Sequence, residues 1–345
     1  MEVKLRTARS LVQRLAAAAA ADDEEESVGA AVSEIRLLSK HDPETRAPLA
    51  DAGAIPLLAA RLLSDSAAAS HEDAAAALLN LSISEREAVM STPGILDAFG
   101  AALRHPSSAG AAQHAAAALY SLLAVEAYRP IIGSKRPLLA SLVGLLRAPG
   151  APTRSIKDAL KALFGVALYP LNRPALVELG AVPALFSLVV KVGRGGLVED
   201  TTAVVAQVAG CAESVDAFRR VAGVRVLVDL LDPATGATAR TRENAAAALL
   251  NLVMAGGEKA AGDVREVEGA EDVVRELADG GGGGGSARGK AKAEALLRAL
   301  DGARDCGRRR LLDLFDESDF FSRPRTTSSS STSISQSEAS KASNY

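Results

Sequence analysis

The side chains of this chain best suited to chemistry are amides, and two of them close the same ten-residue phrase: EDAAAALLNL at 72–81 carries Asn80 and ENAAAALLNL at 243–252 carries Asn251. A side-chain amide donates through its NH2 and accepts through its carbonyl, so a row of amides can hold an extended chain by its backbone groups without any bond-making step. Counting back seven residues, two helical turns, reaches Asp73 and Asn244 on the same face. Weaker copies, AAAALYSL (115–122), ALKALFGV (159–166) and TTAVVAQV (201–208), place Ser121, Gly165 and Gln207 in register with the asparagines. Of these three only Gln207 keeps the amide, so the row is incomplete. Asn80 and Asn251 therefore admit two uses, contact with a partner or buttressing of neighbouring helices. His114, Lys157 and Lys161 fall on the central stretch, where they add specificity to a binding face or belong to a solvated one.

Catalysis finds no comparable constellation. The four histidines, His41, His71, His105 and His114, lack metal-ligand spacing, and their neighbours suggest turns and helix starts at the surface. No G-x-S-x-G, H-E-x-x-H or P-loop pattern occurs, and the glycine run at 280–285 lacks both the following Lys-Ser/Thr and the preceding strand that a phosphate cradle requires. The run reads as a surface insertion, since loop length adds entropy only logarithmically. The expectation is a chain with no catalytic residues, no metal and no cofactor.

The elements that must position the amides follow from the spacing of the copies. Positions 80, 121, 165, 207 and 251 advance by 41 to 44 residues, and a second marker, a small-residue turn before an apolar helix, keeps the same beat through Gly53, Gly94, Gly133, Gly180, Gly223 and Gly269. A period in the low forties built of helix formers is the signature of stacked helical repeats of the armadillo or HEAT kind. With aromatics at 3% and no Trp, the core must be made of Ala, Leu and Val, and no long period-two alternation suggests strands. The fold class expected is all-α, a solenoid of about six such repeats. Helices carrying the alanine-rich octamers are predicted near 28–40, 71–83, 112–124, 154–168, 199–212, 240–254 and 287–301. Helices after the glycine turns are predicted near 54–63, 94–104, 136–147, 181–192, 223–231 and 270–278.

Around that array the predicted organisation is a helix with Leu5, Leu11, Val12 and Leu15 on one face and a solvated acidic link (1–27), the repeats (28–301), a cap segment containing RLLDLF (302–321) and a disordered Ser/Thr-rich tail (322–345). A net charge of −3 is too near neutral and too mixed to direct the chain to nucleic acid or a membrane surface, and no apolar run is long enough to span a bilayer. Cys211, placed inside a repeat helix, and Cys306, in the tail, supply neither a disulfide framework nor a zinc site, which suits a reducing compartment; cytoplasm or nucleus is the expected location. Arg308–Arg310 reads as an arginine-rich helix start or half of an import signal, and RPRTTSSSSTS (323–333) offers hydroxyls beside arginines to a basophilic kinase.

The opening of the array, AVSEIRLLSK (31–40) followed by RAPLADAGAIPLL (46–58), together with the AAAALLNL helices, resembles the armadillo region of plant U-box ubiquitin ligases over residues 28–301. That resemblance implies a right-handed armadillo-type α-solenoid of three-helix units, the helices after the glycine turns being second helices and the alanine-rich ones third helices, with a concave groove lined by the third helices that binds extended peptide segments or a folded protein. It makes Asp73, Asn80, His114, Ser121, Lys157, Lys161, Gln207, Asn244 and Asn251 the candidate groove residues. It implies a non-catalytic scaffold, with substrate adaptor or regulator in ubiquitination as its expected role. The stretch before residue 28 is too short for a U-box, so ligase activity is expected only if a U-box is supplied elsewhere, the chain otherwise being an armadillo fragment of such a ligase. A nuclear transport adaptor of the importin-α type is the remaining alternative, and it is disfavoured because its groove uses tryptophans.

Overall fold

The structure, a computed structural model, describes residues 2–20, 25–64, 68–104, 108–192, 196–280 and 286–320. Among these residues every regular element is helical. The chain divides into two compact units, Met1–Ala303 and Arg304–Tyr345.

The first unit is a stack of helical triplets. The longer inner helices, Glu25–His41, Ala68–Ser84, Ala109–Leu123, Thr153–Ala167, Gly196–Val208 and Ala239–Arg265, pack each against the next to form one wall. Behind them run the second helices Ala54–Leu63, Ile95–Arg104, Arg136–Arg147, Ala181–Val192, Gly223–Leu231 and Ala270–Asp279, and short first helices such as Arg46–Asp51 and Tyr128–Gly133 turn the chain between layers. The alanines explain the wall. Ala74, Ala75, Ala77 and Ala115, Ala116, Ala118 are fully buried, so the inner helices pack on one another through methyl groups, while Leu78, Leu81 and Leu119 fill the space behind. Each buried leucine contributes about 1.5–3 kcal/mol relative to exposure. The sparse aromatics are used as single wedges, and Phe186 and Phe218 meet edge to face at 5.2 Å.

Helix boundaries fall within a few residues of the periodicity, and the departures have local causes. Ala239–Arg265 fuses an inner helix to the following short one across Gly257, whose φ of 58° and ψ of −140° break the helix. Gly53, Gly94, Gly180 and Gly269 do adopt the left-handed turn before a second helix. Gly133 and Gly223 do not: Ala222 takes the left-handed position (φ 51°) ahead of Gly223, and Gly133 ends the helix Tyr128–Gly133, packed against Asn172. The N-terminal helix Glu2–Ala20 covers Glu25–His41 and Arg46–Asp51, burying Ala8, Leu11, Val12 and Leu15, while Leu5 is only half-buried. The acidic link expected just before residue 28 is shorter than the run DDEEES (22–27), since Glu25 to Ser27 already belong to the first inner helix; 21–24 lie outside the described residues.

Cys211 lies in the turn between Gly196–Val208 and Ser214–Arg220 rather than in a helix. His71 is 1% exposed inside Ala68–Ser84, against the surface placement expected of it; His41 is exposed, and His105 lies outside the described residues. Arg308–Arg310 sit within a helix and not at its start. The side chains of RLLDLF and the whole tail from Phe321 lie outside the described residues.

Candidate functional site

The inner helices present one residue per repeat at the register that the copies define, and the structure shows what those residues touch. Asn80 Nδ2 donates to the Arg36 carbonyl (3.3 Å) and to Ser39 Oγ (3.1 Å) on the preceding inner helix. Ser121 Oγ donates to the Ser82 carbonyl (2.7 Å), and Asn251 Nδ2 to the Ala206 carbonyl (2.8 Å). Ser82 and Ala206 lie in the last turns of their helices, where carbonyls have no intrahelical partner. The register residue thus reaches back one repeat: Ser121 and Asn251 cap the neighbouring helix, while Asn80 braces it at Arg36 and Ser39. Because a carbonyl can only accept, these contacts also fix which end of each amide is nitrogen.

At the middle of the array the register is filled by Gly165 because nothing larger fits: a Cβ there would lie 2.9 Å from Leu123 Cβ. Gln207 departs from the pattern, its Oε1 accepting from Arg173 Nη2 at 3.2 Å. Two turns earlier, Asn244 Nδ2 donates to the Glu199 carbonyl (3.1 Å) and Thr202 Oγ1 (3.2 Å), whereas Asp73 is ion-paired to Arg36 at 2.7 Å. Both N–H groups of Asn80 and of Asn244 are therefore committed within the protein. Their carbonyl oxygens, and one N–H of Asn251, accept or donate no bond among the described residues.

His114 lies half-buried on Ala109–Leu123, and its Nδ1 is buried with no hydrogen-bond partner among the described residues. Burial holds its pKa below the usual histidine value; Glu72 and Asp158 raise it, and Arg36 and Arg154 lower it. The imidazole is accordingly neutral at pH 7. Lys161 is exposed with its ammonium 3.3 Å from Asp158, and Lys157 is half-buried.

The structure brings Lys161, Gln207, Asn244 and Asn251 to one continuous groove. A recess of about 210 Å³ is lined by Tyr120, Lys161, Phe164 and Arg240. It joins one of about 660 Å³ that shares Phe164, Ala203 and Arg240 and reaches Gln207, Asn244, Asn251, Arg288 and Lys292. Asp73, Asn80, His114, Ser121 and Lys157 line neither recess. The sequence reading missed Arg240, Arg288, Lys292, Tyr120 and Phe164. The signal was present for the first, since 240, 244, 247 and 251 trace one helix face, and for Arg288 and Lys292, four residues apart on the last inner helix. Among the described residues no group of His, Cys, Asp or Glu could hold a metal ion, and no single helix is long and apolar enough to cross a membrane.

Comparison with known proteins bears on these repeats directly: the model of the plant U-box protein ARM repeat region matches residues 9–300. The chain belongs to that family. Its relatives include U-box domain-containing protein 16 of Arabidopsis thaliana, 33% identical over 271 residues, which covers 78% of this chain and 38% of the relative. U-box domain-containing protein 4 of Oryza sativa subsp. japonica is 31% identical over 310 residues, covering 86% of this chain and 39% of the relative. The chain thus spans under two fifths of the length of these U-box proteins. Among solved structures it is similar to the designed armadillo repeat protein YIII(Dq)4CqI, at 21% identity and a TM-score of 0.48, with 85% of this chain and 99% of that one covered. It is likewise similar to computationally designed armadillo repeat proteins for modular peptide recognition, at 20% identity and a TM-score of 0.48, with 84% and 98% covered. The first unit of this U-box ARM-region chain is an armadillo solenoid in which three-helix units repeat through residue 300.

Proposed function

We propose that this armadillo chain is a non-catalytic scaffold that binds a partner protein in the groove of its inner helices. In ubiquitination it serves as substrate-recognition module, adaptor or regulator, transferring ubiquitin only where a U-box is supplied. The cytoplasm or nucleus is the proposed location. The observation that carries the reading is the continuous recess from Tyr120 to Lys292, where amide and cationic groups stand beside exposed aromatic surface. Such a mixture of few oriented polar groups and apolar floor is what peptide grooves use, affinity coming from main-chain bonds and selectivity from side-chain contacts.

A photo-crosslinking amino acid placed at Ala203, in the groove, and separately at Ala140, in a shallow recess between second helices, tests this. In plant extract the Ala203 position is expected to capture partner protein in excess over Ala140. Adducts at Ala140 alone would move the binding face to the outer layer. Ubiquitin transfer by the purified chain with a conjugating enzyme would overturn the non-catalytic part.

A further inference from the structure

The cations of the inner wall are not evenly distributed. In the first repeats Arg36 is neutralised by Asp73 at 2.7 Å. From Lys161 onward the groove is lined by Lys161, Arg240, Arg288 and Lys292, against Asp200 and Glu243. Glu243 is engaged by Ser286 Oγ at 2.7 Å. Arg240, Arg288 and Lys292 are exposed and enter no ion pair among the described residues. This row stands on a chain whose net charge is −3, so the positive stretch is a local feature and not a reflection of composition. At its other end Tyr120 and Phe164 occupy the same place, one residue before the register position, on consecutive inner helices, and both line the smaller recess.

Resting on the groove reading above, we propose that this half of the groove takes an extended, carboxylate-rich segment of a partner protein. Its acidic side chains pair with Arg240, Arg288 and Lys292, and one apolar side chain seats between Tyr120 and Phe164. Arginine forks favour carboxylates by paired hydrogen bonds, and the lysine adds a point charge. The groove crosses from Ala109–Leu123 to the last inner helix in four helix-to-helix steps. At about 8–10 Å per step that is roughly 32–40 Å, which about ten to twelve extended residues span. The free carbonyl of Asn244 and the free N–H of Asn251 lie along the same track to take backbone groups of the segment.

Selection of a displayed random dodecapeptide library on the immobilised chain tests the proposal. Enriched peptides are expected to be acidic with one aromatic or branched apolar residue, and to bind less tightly as salt is raised. The pair Arg240→Glu and Lys292→Glu is expected to weaken them by roughly tenfold or more, with helical content unchanged, because both side chains are exposed. Arg104→Glu on the outer layer should leave binding as it is. Enrichment of neutral or basic peptides that Phe164→Ala or Asn251→Ala releases would overturn the acidic specificity and leave the groove reading standing. Peptides insensitive to every groove substitution, or no enrichment over the bare support, would end both. A dimer of the chain alone that Lys292→Glu disperses would assign the groove to a second copy and overturn the proposal.

Discussion

Replacing Gly133 by Ala is expected to destabilise the array even though alanine is the better helix former. Gly133 closes the helix Tyr128–Gly133 with a helical backbone, so the substitution is not strained in itself. A Cβ there would overlap the side-chain amide of Asn172, which is 6% exposed and cannot swing into solvent without leaving its partners. Those partners are the Arg129 and Val166 carbonyls, to which Asn172 Nδ2 donates at 2.9 and 3.0 Å. Losing two such bonds and stranding their acceptors costs about 2–4 kcal/mol, and the helix preference of Ala over Gly returns at most about 1 kcal/mol. The net expectation is a loss of about 1–3 kcal/mol, read as a lower urea midpoint with an unchanged slope. Asn172→Ala alone forfeits the same two bonds but vacates the space that the new methyl needs. The double variant should therefore resemble Asn172→Ala and not the sum of the two, a coupling of about 1–3 kcal/mol. Stabilisation by Gly133→Ala, or strict additivity of the pair, would refute the reasoning.

Three further outcomes follow from the site geometry. Asn80→Ala removes two hydrogen bonds to the preceding helix and should cost about 1–3 kcal/mol, and Asn251→Ala removes one and should cost about half as much; unchanged denaturation midpoints would assign both residues to partner contact alone. Burial depresses the pKa of His114 below 6.5, so as pH falls below that value the unfolded chain takes up a proton that the folded one refuses. Stability contributed by the neutral imidazole is full above about pH 6.5 and is lost on acidification towards the lower folded pKa; His114→Gln should flatten that part of the profile, and an unaltered profile would count against it. Burial, with Glu213 beside it, pushes the Cys211 thiol up to about 11 from 9.0, roughly a hundredfold less thiolate at pH 8. Peptide-resolved mass spectrometry should find Cys211 alkylated far more slowly in the native chain than in urea, and equal rates would contradict the burial account.

Repetition in this chain marks the scaffold, and departures from repetition mark the candidate site. The helices were legible because Ala and Leu recur at helical spacing within a period set by whole triplets, and the stacking of triplets follows from an apolar face that no single repeat can bury alone. Asn80, Ser121 and Asn251 recur in register for a related reason: each reaches back to hydrogen-bond the helix of the preceding repeat, a contact that Gly165 and Gln207 do not supply. Gly133 was misread as a turn glycine because a packing glycine and a left-handed one look alike in sequence, and only the neighbour, Asn172, distinguishes them. The burial of His71 was hidden for the same reason, since an alanine-rich helix buried nearly all round has no polar face to place a histidine on. Tyr120 and Phe164 stand where other repeats carry Leu79, Ala206 and Leu250, and Arg240, Arg288 and Lys292 lie on the face of the alanine ladder. Positions that pack helix on helix are constrained by that packing, so in the groove proposed above selectivity for a partner falls to the positions that stacking leaves free. On that argument the central aromatics and the cations that follow them, rather than the recurring asparagines, distinguish this array from another of the same fold.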